Sequence, residues 1–361
     1  MSKKLLVLFA LIILIVPFAS VNAQTLNEGI DYCKIMDSDP DCQLLVDNVE
    51  AMSTVGSFGF NMGLNYDIAM DGDMAQGMDN LAFSITGSGM LAVDTESFST
   101  IQDLAMTDMQ AYMTQLPTLM DQLFSGIEGE AYLTVTLPDM LAPMVGASEI
   151  PLNLLAKDGT YVVDVKALED ALGEDPSGLE WAGVDLSGAF ESIMSDYDFS
   201  ELYSDEQMDS MMNFDSDTLG QAMTITRLDD SDVSGVSVAV FEIVFDYGKM
   251  LDSTGLRDTL NEMYTNAGMS PAEIDSMMSM LAGIKVTARQ YIGLDDSYTY
   301  RVDASMDFNM SGDTLGSSGM DSMAIGFDMF FEMSNFNAPV DIQLPKDAMV
   351  MPFEMIAGGG I

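Results

Sequence analysis

A chain of 361 residues, 48% of them apolar, has the material for a real core, so disorder is excluded as the default and one large or two medium domains are allowed. Fifty-eight acids stand against 12 bases, a formal net charge of −46, and such a field repels nucleic acid and anionic membrane surfaces while it favours cations. Histidine is absent, which removes Ser-His-Asp chemistry, imidazole general bases and His-ligated zinc.

The first 23 residues read as a secretory signal: Lys3 and Lys4 form a basic start, Leu5 to Val16 an apolar stretch, and Val21-Asn22-Ala23 a small-residue cleavage site. The expected mature chain starts at Gln24, is extracytoplasmic (secreted or periplasmic), has no cysteine at the cleavage point to carry a lipid anchor, and has no stretch long enough for a stable membrane span. The two cysteines, Cys33 and Cys42, enclose Asp37, Asp39 and Pro40, and in an oxidising compartment their spacing predicts a local disulfide. A redox or soft-metal pair is the competing reading, weakened by the absence of any further Cys or His.

Leu44, Leu45, Val49 and Met52 recur at helical spacing, so Cys42 to Val55 is expected as a helix. From Phe58 the period changes to two, with Phe58, Phe60, Met62, Leu64, Tyr66, Ile68 and Met70 on one face of a long strand. After a Gly- and Asp-rich turn, Asp71 to Asn80, a second strand carries Leu81, Phe83, Ile85, Leu91 and Val93, with Gly87 and Gly89 on that same face as marks of a bend or close backbone approach. Ile101 to Phe124 returns to helical spacing, with Pro117 as an expected kink or break.

Strands follow at Ala131 to Leu137, Leu152 to Ala156 and Thr160 to Val165, the last two joined by Lys157-Asp158-Gly159. Short helices are expected over Asp185 to Tyr197 and Glu206 to Asn213. Met223 to Leu228 and Val236 to Tyr247 then form a hairpin closed by Asp229 to Gly235, and the run Val236 to Phe241 is apolar enough to be covered on both sides. One further helix ends near Gly268, and another opens on Ser270-Pro271-Ala272-Glu273, a capping box with proline at the first helical position. The chain closes with a strand Lys285 to Leu294, a turn at Asp295-Asp296, and a strand placing Tyr298, Tyr300, Val302, Ala304, Met306, Phe308 and Met310 on one face. A last strand carries Met323, Ile325, Phe327, Met329, Phe331 and Met333. No linker divides the chain, so residues 24–43 are read as a disulfide-containing segment and 44–361 as one domain.

This pattern predicts an α+β fold, a long curved antiparallel sheet (a half-open barrel) wrapped around several helices. The helix and strand over Leu44 to Met70, the turn Ala156-Lys157-Asp158-Gly159-Thr160-Tyr161 and the ending Phe336-Asn337-Ala338-Pro339-Val340-Asp341-Ile342-Gln343-Leu344-Pro345 resemble the superfamily of LolA, the bacterial lipoprotein carrier, and the mycobacterial lipoproteins LppX and LprG. The resemblance implies a hydrophobic cavity that binds an acyl chain or a lipidated partner without catalysis. This chain departs from that pattern in lacking an anchor cysteine, in its added disulfide segment, and in its acidity and methionine content.

Methionine, 34 residues, suits a surface that adapts to varied apolar shapes, although each Met on a strand or helix face is also accounted for by plain core packing. Cu(I) could use Met208, Met211 and Met212 or Met277, Met278 and Met280, but helix faces explain the same residues. Asp230, Asp232, Ser234 and Gly235 match the first half of a calcium loop, but Phe241 stands where the closing Glu should be, so a hairpin turn is the simpler reading. No pair of carboxylates is singled out for glycoside hydrolysis, and no cofactor is expected.

The reading is therefore a non-catalytic binder or carrier of a hydrophobic small molecule or lipid, with a lipidated or envelope protein as a further class of partner. The cavity face is expected from Phe58, Phe60, Met62, Leu64, Tyr66, Phe83, Ile85, Phe327, Met329 and Phe331. Two alternatives stand beside it: an envelope structural or interaction protein with the same fold and a fully packed core, and an extracytoplasmic metal-binding module.

Overall fold

The computed structural model describes the chain from residue 31 to residue 355, apart from the segments 37–38, 73–79, 102–103, 105–108, 190–219, 254–255, 267–268 and 312–320 and the single residues 96, 98, 174 and 354. The signal sequence, the helix over Glu206 to Asn213, most of the helix over Asp185 to Tyr197, the capping Gly268 and the Met208 cluster lie outside the described residues.

In the first half of the chain the elements are α1 (Tyr32–Ile35), α2 (Cys42–Ser53), β1 (Ser57–Asp71), β2 (Asn80–Ala92), α3 (Met109–Ser125), β3 (Glu128–Thr136), α4 (Ala142–Val145), β4 (Glu149–Lys157), β5 (Thr160–Asp164), α5 (Val165–Leu172) and β6 (Trp181–Asp185). The second half contributes β7 (Met223–Val233), β8 (Val236–Asp246), α6 (Tyr247–Ser253), α7 (Leu256–Asn266), α8 (Pro271–Ala282), β9 (Lys285–Gly293), β10 (Thr299–Ser311), β11 (Ser322–Ser334) and β12 (Met349–Pro352). All twelve strands join one sheet in the order β12-β6-β5-β4-β3-β2-β1-β11-β10-β9-β8-β7, antiparallel throughout except for the short β12–β6 pair. The expected α+β architecture, a long and mostly antiparallel sheet with helices, is the one observed.

The first and last long strands meet in the middle of the sheet. β1 pairs with β11 from Gly59↔Ser334 to Asp71↔Ser322 and with β2 from Ser57↔Ala92 to Ala69↔Asn80. Period-two alternation then puts one set of side chains from every strand on one face. Gly87 and Gly89 lie on that face as expected from close approach: a Cβ on Gly87 would run into Leu133, and one on Gly89 into the Glu130 carbonyl and the Phe60 ring.

Two clusters cover opposite ends of this face. Met52, Val55, Phe58, Phe60, Met62, Leu91, Phe124, Leu133, Leu154, Tyr161, Val184 and Phe331 belong to the larger. The smaller joins Tyr32, Met36, Cys42 and Leu45 of the N-terminal helices to Ile225, Ala239, Phe241 and Ile292. The Cys33–Cys42 disulfide forms and ties α1 to the start of α2. Arg227 of β7 adds an ion pair with Asp41 at 3.3 Å, without hydrogen-bond alignment, and lies 5.3 Å over the Phe241 ring. The outward side of β8 is covered too, by a third cluster of Val233, Val238 and Val240 with Tyr291 and Tyr300, so the double covering read for Val236 to Phe241 holds.

The helix ending near Phe124 runs on through Pro117, so of the expected kink or break there is no break. Three expectations change. The stretch Asp229 to Gly235 is mostly strand, irregular between Leu228 and Ser231, and the turn is only Ser234-Gly235, both at positive φ, with Asp232 accepting the Gly235 N–H. Asp185 ends β6 and does not start a helix. The face assigned to β10 is broken by a bulge between Thr299 and Arg301: Thr299 pairs with the inward Ile292 and is buried, while Tyr300 turns outward to the third cluster.

The bulge has a buried polar reason. Asn48 of α2 donates to the Ser297 carbonyl at 2.6 Å and to Thr299 Oγ1 at 2.9 Å, and Gln290 donates to Asn48 Oδ1 at 2.8 Å. Thr299 must face inward to close this network, and the extra residue restores the register beyond it. At the same end, Asn337 accepts from the Gly56 N–H and donates its own N–H to the Ser57 carbonyl, so the closing segment Phe336 to Pro345 straps the start of β1. The capping box at Ser270 and Glu273 forms as read.

Two outcomes follow. Asn48→Ala leaves Gln290 and Thr299 short of partners in a buried site, and the expected loss is about 2–4 kcal/mol, seen as a lower urea midpoint at unchanged slope. Burial raises the hydroxyl pKa of both Tyr32 and Tyr161, and Tyr161 donates to the Phe124 carbonyl at 2.7 Å. With the folded pKa above the unfolded value of about 10, their stabilisation is complete below that pH and is lost as pH rises above it, so the thermal midpoint falls on the alkaline side; Tyr161→Phe reduces that slope.

Candidate functional site

The inward face divides along the length of its strands. Counted across the sheet, Phe241, Gln290, Val302, Phe331, Met62, Gly87, Leu133 and Leu152 form one rung from β8 to β4. The next is Ile243, Ala288, Ala304, Met329, Leu64, Ile85, Val135 and Ile150, and the one after is Phe245, Val286, Met306, Phe327, Tyr66 and Phe83. All but Gln290 are apolar or glycine. The register therefore builds a continuous apolar surface, eight strands across, wider than any described helix.

The ten residues expected to line a cavity fall on this surface, but in two environments. Phe58, Phe60, Met62, Ile85 and Phe331 are buried, none more than 8% exposed, inside the larger cluster. Phe60 stacks on Phe331 at 5.6 Å between centroids and Phe58 meets the same ring edge-on at 6.3 Å. These five are packing and offer a ligand nothing. Leu64, Tyr66, Phe83, Phe327 and Met329 are half-buried, and they sit together: Tyr66 lies between Phe83 and Phe327, and Leu64 between Ile85 and Met329.

Further residues complete the half-buried strip. Ile68, Leu81, Ile325, Met323, Met306, Val286 and Val302 are neither fully buried nor exposed, and so are Ala288 and Ala304, although these two alanines lie on inner strands of the sheet. Facing each other across β9 and β10, they leave a dip between Ile243 and Met329. Alternation alone pointed to Met306 and Val302. The dip was hidden, because it depends on which strand neighbours which.

The strip lies at the end of the sheet from which α6, α7 and α8 leave. Asp246, the last residue of β8, pairs with Lys285, the first of β9, and the three helices span the chain between them. Leu251, Ile274 and Met278 are buried among themselves with Leu260 and Tyr264, as a cluster of their own separate from those of the sheet. The helices thus satisfy their apolar faces mutually, and the strip beside them stays half-buried. On the other side α3 is fixed by its C-terminal end, where Phe124 packs edge-on against Tyr161 at 6.2 Å and Leu119 is buried.

The strip holds no charged side chain, and its chemistry is that of an apolar contact surface. Among the described residues no group of three or more His, Cys, Asp or Glu could hold a metal ion, and no described helix is long and apolar enough to cross a membrane. A polar side chain at the dip is expected to be tolerated because the site is half-open: Ala304→Ser should shift the urea midpoint by less than about 1 kcal/mol equivalent, whereas Phe331→Ala in the packed half should lose about 3–5 kcal/mol.

No family model and no curated relative matches the chain. Among solved structures it is similar to LprF from Mycobacterium bovis, at 12% identity and a TM-score of 0.31, over 84% of this chain and 95% of that one. It is similar also to lipoprotein LppX from Mycobacterium tuberculosis, at 9% identity and a TM-score of 0.27, over 83% and 97%. A lipoprotein-sorting protein domain of the outer membrane from Vibrio parahaemolyticus gives 8% and 0.18, over 83% and 93%. At overlaps this low, function has to be argued from the site itself.

Proposed function

We propose that this protein is an extracytoplasmic, non-catalytic binder of a hydrophobic ligand, and that an acyl chain, free or carried by a lipidated partner, lies along the half-buried strip. The observation that carries this reading is the pair Ala288 and Ala304. Two small side chains on inner strands stay half-buried between larger apolar neighbours, where a packed core would place bulk. Around them stand Leu64, Tyr66, Phe327 and Met329, and the methionines among the neighbours adapt to a flexible chain. The Cys33–Cys42 disulfide supports an oxidising compartment, in keeping with removal of residues 1–23 as a signal. Residues 44–361 act in this reading as one domain.

Native mass spectrometry of the chain purified from its own host, with lipid extraction, should find a bound lipid, and the delipidated protein should take up a fluorescent fatty acid. Ala304→Phe fills the dip and should weaken that uptake at least tenfold while the circular dichroism spectrum is unchanged. No bound lipid together with no uptake overturns the reading and leaves an envelope protein of packed core; uptake undiminished in Ala304→Phe removes the strip as its site.

A further inference from the structure

The outward face of the same strands carries a second concavity. The rungs alternate, so the positions between the inward residues line up outside: Gly63, Phe330, Asp303, Arg289 and Glu242 share one rung, and Asn65, Asp328, Ser305 and Thr287 the next. Small Gly63, Ser305 and Thr287 alternate with tall Phe330, Arg289 and Arg301, and a groove of about 370 Å³ opens between them.

Its walls are held in place. Arg301 donates from Nε to Asp303 at 2.6 Å and from Nη1 to Glu332 at 2.7 Å, and its guanidinium lies 5.3 Å from the Phe330 ring and 5.7 Å from the Tyr291 ring. Tyr291 donates its hydroxyl to the other oxygen of Asp303 at 2.8 Å. Arg289 is fixed by two bonds to Glu242, at 3.0 and 2.8 Å. Phe330 keeps its place because Gly63 lies opposite: its ring edge fills the space that a Cβ there would take. Phe330 is thus an outward aromatic ring secured by the glycine beneath it.

The lining itself balances two arginines, Arg289 and Arg301, against two aspartates, Asp303 and Asp328, in a chain whose net charge is −46. With Glu242 and Glu332 holding the two arginines as well, each guanidinium is already paired and the surroundings are net acidic, which selects against anions. Planar donors and acceptors around an aromatic ring match instead a ligand whose every polar group both donates and accepts, with an apolar ring face between them.

We propose that this outer groove is a binding site for a neutral saccharide, with Phe330 as the platform for a pyranose ring and Asn65, Arg289, Asp303 and Asp328 as the partners of its hydroxyls. The site lies on the opposite face from the apolar strip and stands or falls without it. Asp303 presents its carboxylate already oriented by Arg301 and Tyr291, so the bonds to sugar need little reorganisation.

The test titrates the full mature chain with glucose, galactose, mannose and N-acetylglucosamine by ligand-observed NMR. At least one should saturate at millimolar concentration. Phe330→Leu, which keeps apolar bulk and removes the aromatic face, should weaken that binding at least tenfold. Ser305→Gln, which fills the half-buried floor, should do the same, and it carries the test if Phe330→Leu fails to fold. Ala288→Phe, on the inward face and outside the lining of the groove, should leave sugar binding unchanged. The proposal is overturned if no sugar saturates, if Phe330→Leu and Ser305→Gln bind as the parent does, or if binding follows added calcium instead of the sugar.

Discussion

Everything in this molecule depends on one constraint: a sheet of twelve strands with an apolar face must cover that face, and the described helices do not do so evenly. Where the strands begin and end near β1's first residues, cover is complete. Helix α2, the C-terminal part of α3 and the returning segment around Phe336 and Ile342 all converge there, and Phe58, Phe331 and Leu91 are almost wholly removed from water. Some 20 Å along the same strands, at 3.3 Å or so per residue, the cover thins and most of the apolar side chains stay half-buried, with Phe308 as an exception. The difference lies in what packs above, since the strand chemistry is the same at both ends.

The packed end is also where the fold fixes its register. A one-residue slip in any strand would send its apolar set to the solvent side, so something specific must set the pairing. Here it is polar. Asn48, Ser297, Thr299 and Gln290 form a network under α2, Asn337 ties the last segment to Gly56 and Ser57, and the bulge at Tyr300 reconciles the network with the alternation of the rest of β10. An apolar contact tolerates sliding, but a buried amide with three partners does not. The disulfide and the Arg227–Asp41 pair add a second fixing point at the β7 side, holding the short helices that cover Phe241 and Ile292.

The long strands were legible because their alternation is strict over many residues: β1, β2 and β11 are where the period of two puts them, to within a residue or so. The capping box at Ser270 and the disulfide were legible from local chemistry alone. Helix α5 had a signal that was passed over, Asp164 as N-cap and Gly173 as a left-handed C-cap around an amphipathic octet. Short β6 and β12 had little signal, since four or five residues hold too few alternations to stand out. The bulge at Tyr300 could not be read at all, because it answers to a tertiary partner, Asn48, 251 residues from Thr299. The candidate site was half legible for a related reason: alternation gives a face, but burial along that face is set by the helices above it. Five of the ten residues named for a cavity are therefore core.

The rungs make the two faces of the sheet mutually dependent. Ala288 and Ala304 produce the inward dip, and their neighbours in sequence, Arg289, Asp303 and Ser305, help to line the outward groove. A strand has no thickness to separate these functions, so bulk placed on one face leaves the other untouched only while the backbone does not move. Methionine eases that demand. Met62 and Met333 are buried at the packed end, while Met306, Met323 and Met329 are half-buried beyond it, and an unbranched thioether can follow a changing neighbour without pulling its strand. A β-branched residue in the same place, stiff at χ1, would pass each adjustment to the backbone and so to Asp303 and Phe330 on the far side. The methionine content of the inward face thus lets that surface adjust while the opposite one keeps a fixed arrangement of charges.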